Sequence, residues 1–183
     1  MEAWLLRHAE TEWSRDGRHT GRTDVPLTDV GRERARALRK RIAGHSFALV
    51  LSSPLSRARE TAELAGLTPQ LRDDLLEFDY GEYEGITTAQ IRQQRPDWYL
   101  WRDGCPGGET AEDVGRRVDR VIEEVLQADG DAAIVAHGHV LRALGARWAE
   151  QPASFGGRLA LDTGSISMLG FEREVRVLRR WNA

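Results

Sequence analysis

Polar side chains that could carry chemistry follow each of the three most apolar runs of the sequence. Arg7 and His8 follow the run AWLL, two serines at 52–53 follow FALVL, and His137 follows AAIVA. Arg57 comes four residues after the second serine, early in a predicted helix. The carboxyl ends of parallel strands meet at one edge of an open α/β sheet, and ligands bind at that edge. We therefore expect these side chains to converge on one site.

Two imidazoles, two guanidiniums and a helix N-terminus together suit a tetrahedral dianion, and phosphate is the obvious candidate. Any one of these residues alone is more often structural. His137 and His139 form an H-x-H pair that, with His8, could instead bind zinc. Two neighbouring arginines would repel a metal ion, and no further cysteine or aspartate ligand is evident. The residues therefore favour an anion site without a metal.

Length and composition are those of a single soluble domain spanning residues 1–183. The net charge of −3 gives no indication of nucleic acid or an anionic membrane as a partner. Lys40 is the only lysine, and no G-x-x-x-x-G-K-S/T loop is present, which argues against Schiff-base chemistry and a P-loop. Cys105 is the only cysteine, so no intrachain disulfide can form. No run suits a secretory signal or a membrane span, and we expect a cytoplasmic protein.

Apolar runs predict strands, and helical spacing with capping residues predicts helices between them. The predicted strands cover 3–6, 47–51, 70–72, 132–136, 165–171 and 174–178. The predicted helices run from a cap at Thr28 to Gly44, from Pro54 to about Ala65, from Thr88 to Gln94, from Thr110 past Val125, and from His139 past Leu144. Residues 9–27 are expected to form a loop. The order predicts an α/β domain with a mainly parallel sheet, helices on both faces and an antiparallel edge strand.

A series of motifs extends over nearly the whole chain: LRHAET at 6–11, TGRTDVPLT at 20–28, SSPLSRARET at 52–61, LEFDYGEYEG at 76–85, GGET at 107–110 and VAHG at 135–138. This series resembles that of the histidine phosphatase superfamily, also called the phosphoglycerate mutase-like family. Ala9 departs from the pattern, because the family usually has glycine after the nucleophile. A methyl group at this position could crowd the approach of the backbone to the site.

The resemblance implies the phosphoglycerate mutase-like fold and a two-step transfer. His8 would attack phosphorus, while Glu77 would protonate the leaving oxygen and then deprotonate water, which suggests an acidic to near-neutral optimum. Arg7, Arg57 and His137 would hold the phosphoryl oxygens. No metal or other cofactor is expected, because the arginines supply the positive charge. Positions that contact the phosphate or the substrate in relatives correspond to Ser14, Thr20, Gly21, Tyr80 and Gly138.

Chain length and loop content favour one branch of this family. Glu77 and His137 are separated by only 60 positions, whereas the resemblance implies a longer basic insertion there in cofactor-dependent mutases. The loop after His8 is similar to that of sugar-phosphate phosphatases. We therefore expect a phosphomonoesterase of the histidine acid phosphatase type. It would hydrolyse a small phosphorylated metabolite, such as a sugar phosphate, through a phosphohistidine intermediate.

Two other functions stay open at this stage. One is a 2,3-bisphosphoglycerate-dependent phosphoglycerate mutase, and the other is a phosphate-binding regulatory module that has lost turnover. Trp98, Tyr99 and Trp101 could form an aromatic wall beside a sugar, or could simply pack a lid. Candidates for a contact in a homodimer are Trp4, Trp148 and Trp181, which we interpret as surface apolar residues.

Overall fold

The computed structural model describes residues 1–183, which build one six-stranded sheet and the helices that cover it. The strands are β1 (Ala3–Arg7), β2 (Leu49–Ser52), β3 (Gln70–Leu71), β4 (Ala132–Ala136), β5 (Ile166–Glu172) and β6 (Val175–Arg180). The helices are α1 (Glu12–Arg15), α2 (Asp29–Arg41), α3 (Ser56–Leu64), α4 (Thr88–Gln94), α5 (Leu100–Asp103), α6 (Ala111–Leu126) and α7 (Gly138–Trp148).

Four parallel strands form most of the sheet, whose order is β3-β2-β4-β1-β5-β6. Strands β1 and β4 are parallel neighbours, with Leu5 beside Ile134, and β2 is parallel to β4 on its other side. Strand β5 runs antiparallel to β1, and β6 runs antiparallel to β5. The predicted α/β architecture is confirmed, with a two-stranded hairpin at the antiparallel edge. The carboxyl ends of β1, β2 and β4 consequently lie at the same edge of the sheet.

Side chains of the central strands alternate between two apolar cores, one on each face of the sheet. Leu5 and Ile134 are buried in the larger core, together with residues of α6 and α7. Leu6 and Val135 are buried in the smaller core, together with residues of α2 and α3. Successive residues of a strand point to opposite faces. Runs that are apolar throughout therefore need a helical layer on both sides.

Threonine caps define where three of the helices begin. The Thr28 side chain accepts the Gly31 N–H at the start of α2. Thr110 forms a capping box with Asp113 at the start of α6, and Thr87 caps α4 in the same way. These side chains satisfy N–H groups that have no partner within the helix. The predicted starts of α2, α4 and α6 are confirmed.

The predicted loop at residues 9–27 and the predicted start of the second strand are both wrong. The loop contains α1, a single turn closed by a capping box between Thr11 and Ser14. Four residues are too few to show a helical period, so the sequence pattern missed it. Strand β2 begins at Leu49 because Phe47 leaves the sheet and packs on the Trp4 ring, with the ring centroids 5.8 Å apart.

Helix α3 begins at Ser56, two residues later than the Ser-Pro signal predicts. Ser53 does not serve as its N-cap. The Ser53 hydroxyl instead contacts His137 Nε2 at 2.7 Å and accepts the Leu55 N–H at 3.4 Å. Ser53 is therefore engaged by His137, a residue that follows β4 and is distant in sequence. The Ser-Pro capping signal, which is local, could not predict this contact.

The tryptophans considered for a homodimer contact are mostly internal. Trp4 and Trp148 are buried, and the Trp148 indole N–H donates to the Gly170 carbonyl at 3.1 Å. Only Trp181 is partly exposed, and it packs against the larger core. The interpretation of Trp4 and Trp148 as surface residues is wrong. Separately, no helix combines the length and the apolar character needed to cross a membrane.

We expect Leu5→Ala to lower the free energy of unfolding by about 2–5 kcal/mol, because it opens a cavity against the central strand of the sheet. Leu5 is fully buried. The matched control is Leu126→Ala at the end of α6, where the side chain is 40% exposed and the loss should stay below about 1 kcal/mol. Urea unfolding measures both values. Similar losses for the two variants would contradict the central position of β1.

Candidate active site

Strand topology brings the residues that follow β1, β2 and β4 together. The imidazole rings of His8 and His137 lie 5.1 Å apart, centroid to centroid. Arg57, in the first turn of α3, donates from Nε to His137 Nδ1 at 3.1 Å. His8 follows β1 and His137 follows β4, and these strands are parallel neighbours. The convergence expected from the strand ends is therefore present.

The His8 imidazole is held as a neutral ring with one free nitrogen. Nδ1 lies 2.8 Å from the Ala9 carbonyl oxygen, which can only accept, so Nδ1 carries the proton. Nε2 keeps its lone pair, and the side chain lines a cavity at this edge of the sheet. Burial, followed by the charges of Arg57 and Arg7, holds the His8 pKa well below its usual value of 6.5. A neutral imidazole with a free Nε2 can act as a nucleophile.

The methyl group of Ala9 does not crowd the cavity. Ala9 is fully buried in a small apolar cluster with Leu27 and Ala35, and it is not among the cavity-lining residues. Its N–H donates to Thr61 Oγ1 at 3.1 Å. The alanine thus fills apolar space between the loop and α2, and its backbone still carries the carbonyl that orients His8.

Arg7 offers an unpaired donor next to His8. Its Nη1 donates to the Leu161 carbonyl, whereas its Nε is buried and has no hydrogen-bond partner. Burial lowers the pKa of Arg7, and the nearby Glu77 carboxylate partly offsets that effect. A buried donor without a partner is destabilising. An anion would satisfy it with a charge-assisted hydrogen bond.

Gly138 places the N-terminus of α7 directly against the Arg7 guanidinium. A Cβ at position 138 would lie 3.2 Å from Arg7 Cζ and 3.3 Å from Arg7 Nε. Glycine therefore allows this close approach without displacing the arginine. The Gly138 N–H is the first of the helix and has no carbonyl within the helix to bond. Together with the helix dipole, this N–H favours an anion beside Arg7.

Arg57 is fully buried and fixes the loop that follows His8. Its Nη1 donates to the Thr23 carbonyl at 2.8 Å, and its Nη2 donates to the Thr20 and Gly21 carbonyls, both at 3.0 Å. Burial lowers the pKa of Arg57, and carboxylates including Glu77 partly offset this. Every nitrogen of the guanidinium thus donates to the protein, and Arg57 does not line the cavity.

His137 belongs to the same buried layer behind His8. Its Nδ1 accepts from Arg57, so its Nε2 carries the proton and donates to Ser53 Oγ at 2.7 Å. Burial and then the Arg57 charge hold the His137 pKa well below 6.5. Both ring nitrogens are engaged, and His137 does not line the cavity. The pair of Arg57 and His137 contacts His8 and its loop from behind.

The Glu77 carboxylate is held at the start of α7 by three backbone N–H groups. Oε1 accepts from Phe78 at 2.8 Å and from Val140 at 2.9 Å, and Oε2 accepts from His139 at 3.0 Å. Glu77 is buried and lines the cavity. Oε2 has one partner fewer than Oε1, so it is the oxygen with capacity to exchange a proton there.

Tyr80 and His139 form a neutral pair next to Glu77. The Tyr80 hydroxyl is hydrogen-bonded to His139 Nδ1, which lies 3.9 Å from Glu77 Oε2. Burial, followed by the Glu77 charge, raises the Tyr80 pKa well above 10. Burial, followed by the Arg142 charge, lowers the His139 pKa well below 6.5. His19 packs edge-on against Tyr80, with the ring centroids 4.8 Å apart, and also lines the cavity.

The remaining predicted contacts divide into two groups. Ser14 and Thr20 line the cavity, although the Ser14 hydroxyl also closes the capping box of α1. Gly21 does not line it, because its N–H donates to the Glu84 carboxylate at 2.9 Å and its carbonyl accepts from Arg57. A Cβ at position 21 would lie 2.6 Å from the Phe78 carbonyl oxygen. Gly21 therefore organises the loop instead of reaching into the cavity.

The cavity above His8 has a volume of about 370 Å³. Trp98 and Trp101 are buried, whereas Tyr99 is 40% exposed. The aromatic residues therefore pack the core and form a wall of the cavity at the same time. Sequence reasoning did not identify Arg18 or Arg142 as site residues, although Arg142 lies one helical turn after Gly138. The arginines and aromatic residues in the wall are Arg18, Arg92, Trp98, Tyr99, Trp101 and Arg142.

The three histidines considered as zinc ligands are not arranged to coordinate one metal ion. His137 is bonded through both ring nitrogens to Arg57 and Ser53, and His139 is bonded through Nδ1 to Tyr80. No group of three or more His, Cys, Asp or Glu side chains could hold a metal ion.

Comparisons with known proteins agree on the family. The sequence model of the histidine phosphatase superfamily (branch 1) matches residues 3–183. An acid phosphatase of Mycobacterium tuberculosis is 46% identical over 180 residues, covering 95% of this chain and 88% of the relative. The sedoheptulose 1,7-bisphosphatase of Saccharomyces cerevisiae is 34% identical over 178 residues, covering 79% and 66%. The solved structure of a Mycobacterium tuberculosis open reading frame superposes with a TM-score of 0.95 at 43% identity, covering 99% and 96%.

We expect the free energy of unfolding to fall as the pH decreases below 6.5. The folded-state pKa values of His8, His137 and His139 all lie well below 6.5, so the unfolded chain binds more protons in this range. The contribution of these neutral histidines to the free energy of unfolding is therefore fully present above pH 6.5. Below it, each histidine contributes a loss of up to about 1.4 kcal/mol per pH unit.

Urea unfolding between pH 7.5 and 5 measures this slope. The carboxylate of Asp103, whose pKa is lowered to about 2, titrates outside that window. His139→Gln should reduce the slope, whereas His45→Gln, which removes an exposed imidazole, should leave it unchanged. Stability that is independent of pH over the whole window would contradict the burial of neutral histidines.

Proposed function

The chain belongs to the histidine phosphatase superfamily and is a phosphatase, and on this basis we propose that it is a phosphomonoesterase acting through phosphohistidine on a small metabolite. The observation that most directly supports this proposal is the hydrogen bonding of the His8 imidazole. Its Nδ1 is fixed by a carbonyl, its Nε2 is free, and the adjacent Arg7 has an unpaired buried donor. This is the combination that a nucleophile for an anionic ester requires.

The proposed reaction has two steps. First, the Nε2 lone pair of His8 attacks phosphorus, the bond from phosphorus to the ester oxygen breaks, and Glu77 gives that oxygen its proton. The alcohol then leaves. Second, water attacks phosphorus, Glu77 takes a proton from the water, and the bond from phosphorus to Nε2 breaks to release phosphate. Covalent catalysis divides one difficult displacement into two easier ones.

Donors around the phosphoryl group supply the electrostatic part of the mechanism. Arg7 Nε and the Gly138 N–H favour charge on the non-bridging oxygens, and both are in place before substrate binds. Arg57 and His137, which the family resemblance assigns to the phosphoryl oxygens, act in this proposal mainly through His8. The Arg57 charge opposes protonation of the His8 ring, and its hydrogen bonds hold the loop around the ring.

The size and the lining of the cavity support a small anionic substrate. A volume of about 370 Å³ lies at the lower end of the range for small-molecule sites. Trp98, Tyr99 and Trp101 offer apolar surface to the body of a sugar phosphate. Two similar proteins are named acid phosphatase and sedoheptulose 1,7-bisphosphatase, and the second name supports a small metabolite over a protein as the substrate.

We expect His8→Ala to reduce phosphate release by at least about 10³-fold, because the nucleophile is removed. The assay uses sugar phosphates, 3-phosphoglycerate and p-nitrophenyl phosphate from pH 4 to 8, with rapid quenching to trap phosphohistidine in the wild type. His45→Ala is the matched control. Normal turnover by His8→Ala would refute the nucleophile assignment.

The same assay separates the alternative functions. Interconversion of phosphoglycerates that requires added 2,3-bisphosphoglycerate would instead assign the protein as a mutase. Binding of inorganic phosphate by the wild type without turnover of any ester would indicate a phosphate-binding module. Hydrolysis of a monoester without bisphosphoglycerate supports the proposed phosphatase.

We expect Glu77→Gln to lower kcat for a sugar phosphate by about 10²–10⁴-fold, because an amide cannot protonate the leaving oxygen. The loss should be smaller for p-nitrophenyl phosphate, whose leaving group needs little protonation. The control is Glu82→Gln, which changes an exposed carboxylate. Equal losses for the two substrates would show that Glu77 supports the structure of the site and does not donate a proton.

A further inference from the structure

The arginines that line the cavity have no carboxylate partners. Elsewhere in the chain, Arg117 and Arg147 pair with carboxylates at 2.8 Å. The cavity, in contrast, contains four guanidiniums and the single carboxylate of Glu77. A phosphate monoester at His8 would add two negative charges. These and the Glu77 carboxylate together do not neutralise the four guanidiniums. The four arginines are Arg7, Arg18, Arg92 and Arg142.

Arg142 is the most rigidly placed of the arginines beyond the phosphate site. Its Nε donates to the Gly156 carbonyl at 2.9 Å, and its guanidinium lies over the Trp101 ring, 5.0 Å from the centroid. A Cβ at Gly156 would meet the Trp101 ring at 2.6 Å, so the indole packs directly on this backbone. The two terminal nitrogens of Arg142 have no protein partner and remain a free fork of donors.

The position of Arg142 on α7 sets its distance from the phosphate site. It comes four residues after Gly138, which corresponds to one turn on the same helix face and a rise of about 6 Å. Side chains on a helix lean towards its N-terminus, and here that end carries Gly138 and Arg7. A ligand of a few carbon atoms can therefore span the two sites.

Arg18 and Arg92 are held less firmly. Both are exposed, Arg92 Nε donates to the Trp98 carbonyl at 3.1 Å, and Arg18 lies 5.9 Å from the centroid of the Trp13 ring. They add positive charge at the cavity, but neither has the buried support that fixes Arg142. Arg142 is therefore the arginine whose position is best fixed for binding a group of the ligand.

We propose that Arg142 determines substrate specificity by binding a second anionic group, a phosphate or a carboxylate, on a small phosphate monoester whose reacting phosphate lies at His8. This inference rests on the proposed phosphatase function and adds a substrate class to it. The aromatic wall formed by Tyr99 and Trp101 packs beside the carbon skeleton that joins the two anions.

The test compares three phosphate monoesters that differ in their second group. Fructose 1,6-bisphosphate carries a second phosphate, 3-phosphoglycerate carries a carboxylate, and fructose 6-phosphate carries neither. We measure kcat/KM for the wild type, for Arg142→Gln and for Arg36→Gln, a control that removes an exposed arginine outside the cavity. The doubly anionic probe with the higher wild-type kcat/KM identifies the second group.

We expect the wild type to favour one doubly anionic probe over fructose 6-phosphate by at least about tenfold. Arg142→Gln should lower kcat/KM for that probe by about 10- to 100-fold, the range for a charge-assisted hydrogen bond. Its effect on fructose 6-phosphate should stay below about threefold. A wild type without this preference, or an equal loss on all three probes, would overturn the proposal.

Binding measurements keep the inference separate from catalysis. Calorimetry on His8→Ala should show tighter binding of the favoured doubly anionic probe than of fructose 6-phosphate, and His8→Ala/Arg142→Gln should lose the difference. If the wild type hydrolyses no probe, the proposed function fails, but these Kd values still decide the role of Arg142. Equal Kd values for the probes in His8→Ala would refute the second anion site.

Discussion

Two guanidiniums, that of Arg57, which is fully buried, and that of Arg7, whose Nε is buried, are held by carbonyl oxygens and not by carboxylates. Arg57 donates to three loop carbonyls and to His137, and Arg7 donates to the Leu161 carbonyl. Burying a charge without a counter-ion is unfavourable, and carbonyl dipoles compensate for it without cancelling the positive potential. Burial, together with that potential, keeps the His8 ring neutral, and the potential leaves the cavity suited to an anion. A bound dianion would complete the charge balance, so ligand and fold should stabilise each other.

The sheet topology explains why so much of this arrangement is readable from the sequence. Runs such as AWLL and AAIVA are apolar on both faces, so they belong inside a parallel sheet. Whatever follows them must then lie at one edge, which places Arg7, His8 and His137 together without any knowledge of the loops. Capping threonines define helix starts for a similarly local reason, because each satisfies N–H groups within one turn. Predictions of this kind succeeded at Thr28 and Thr110.

Residues placed by contacts between distant segments could not be found in this way. Glu77 lies in an irregular stretch without periodicity, and only the family motif identified it; the amides that hold it include those of His139 and Val140 in α7. Gly21 was expected to contact substrate, yet its surroundings are Glu84 and Arg57. The start of α3 was misplaced because Ser53 bonds His137. In each case the deciding partner lies far away in sequence.

The cavity combines a rigid end and a more open end, and this division bears on how one fold serves different substrates. At the rigid end, buried donors and carbonyls fix His8, Arg7 and Glu77, so in the proposed mechanism the core itself positions the groups for phosphoryl transfer. At the open end, the proposed specificity depends on Arg142, which has free donors and borders a loop segment. We expect substitutions there to change which molecule binds without disturbing the buried layer behind His8. The support that Arg142 receives from the Gly156 carbonyl and the Trp101 ring then matters as much as its charge, because a guanidinium held in place loses less conformational entropy when it binds its ligand.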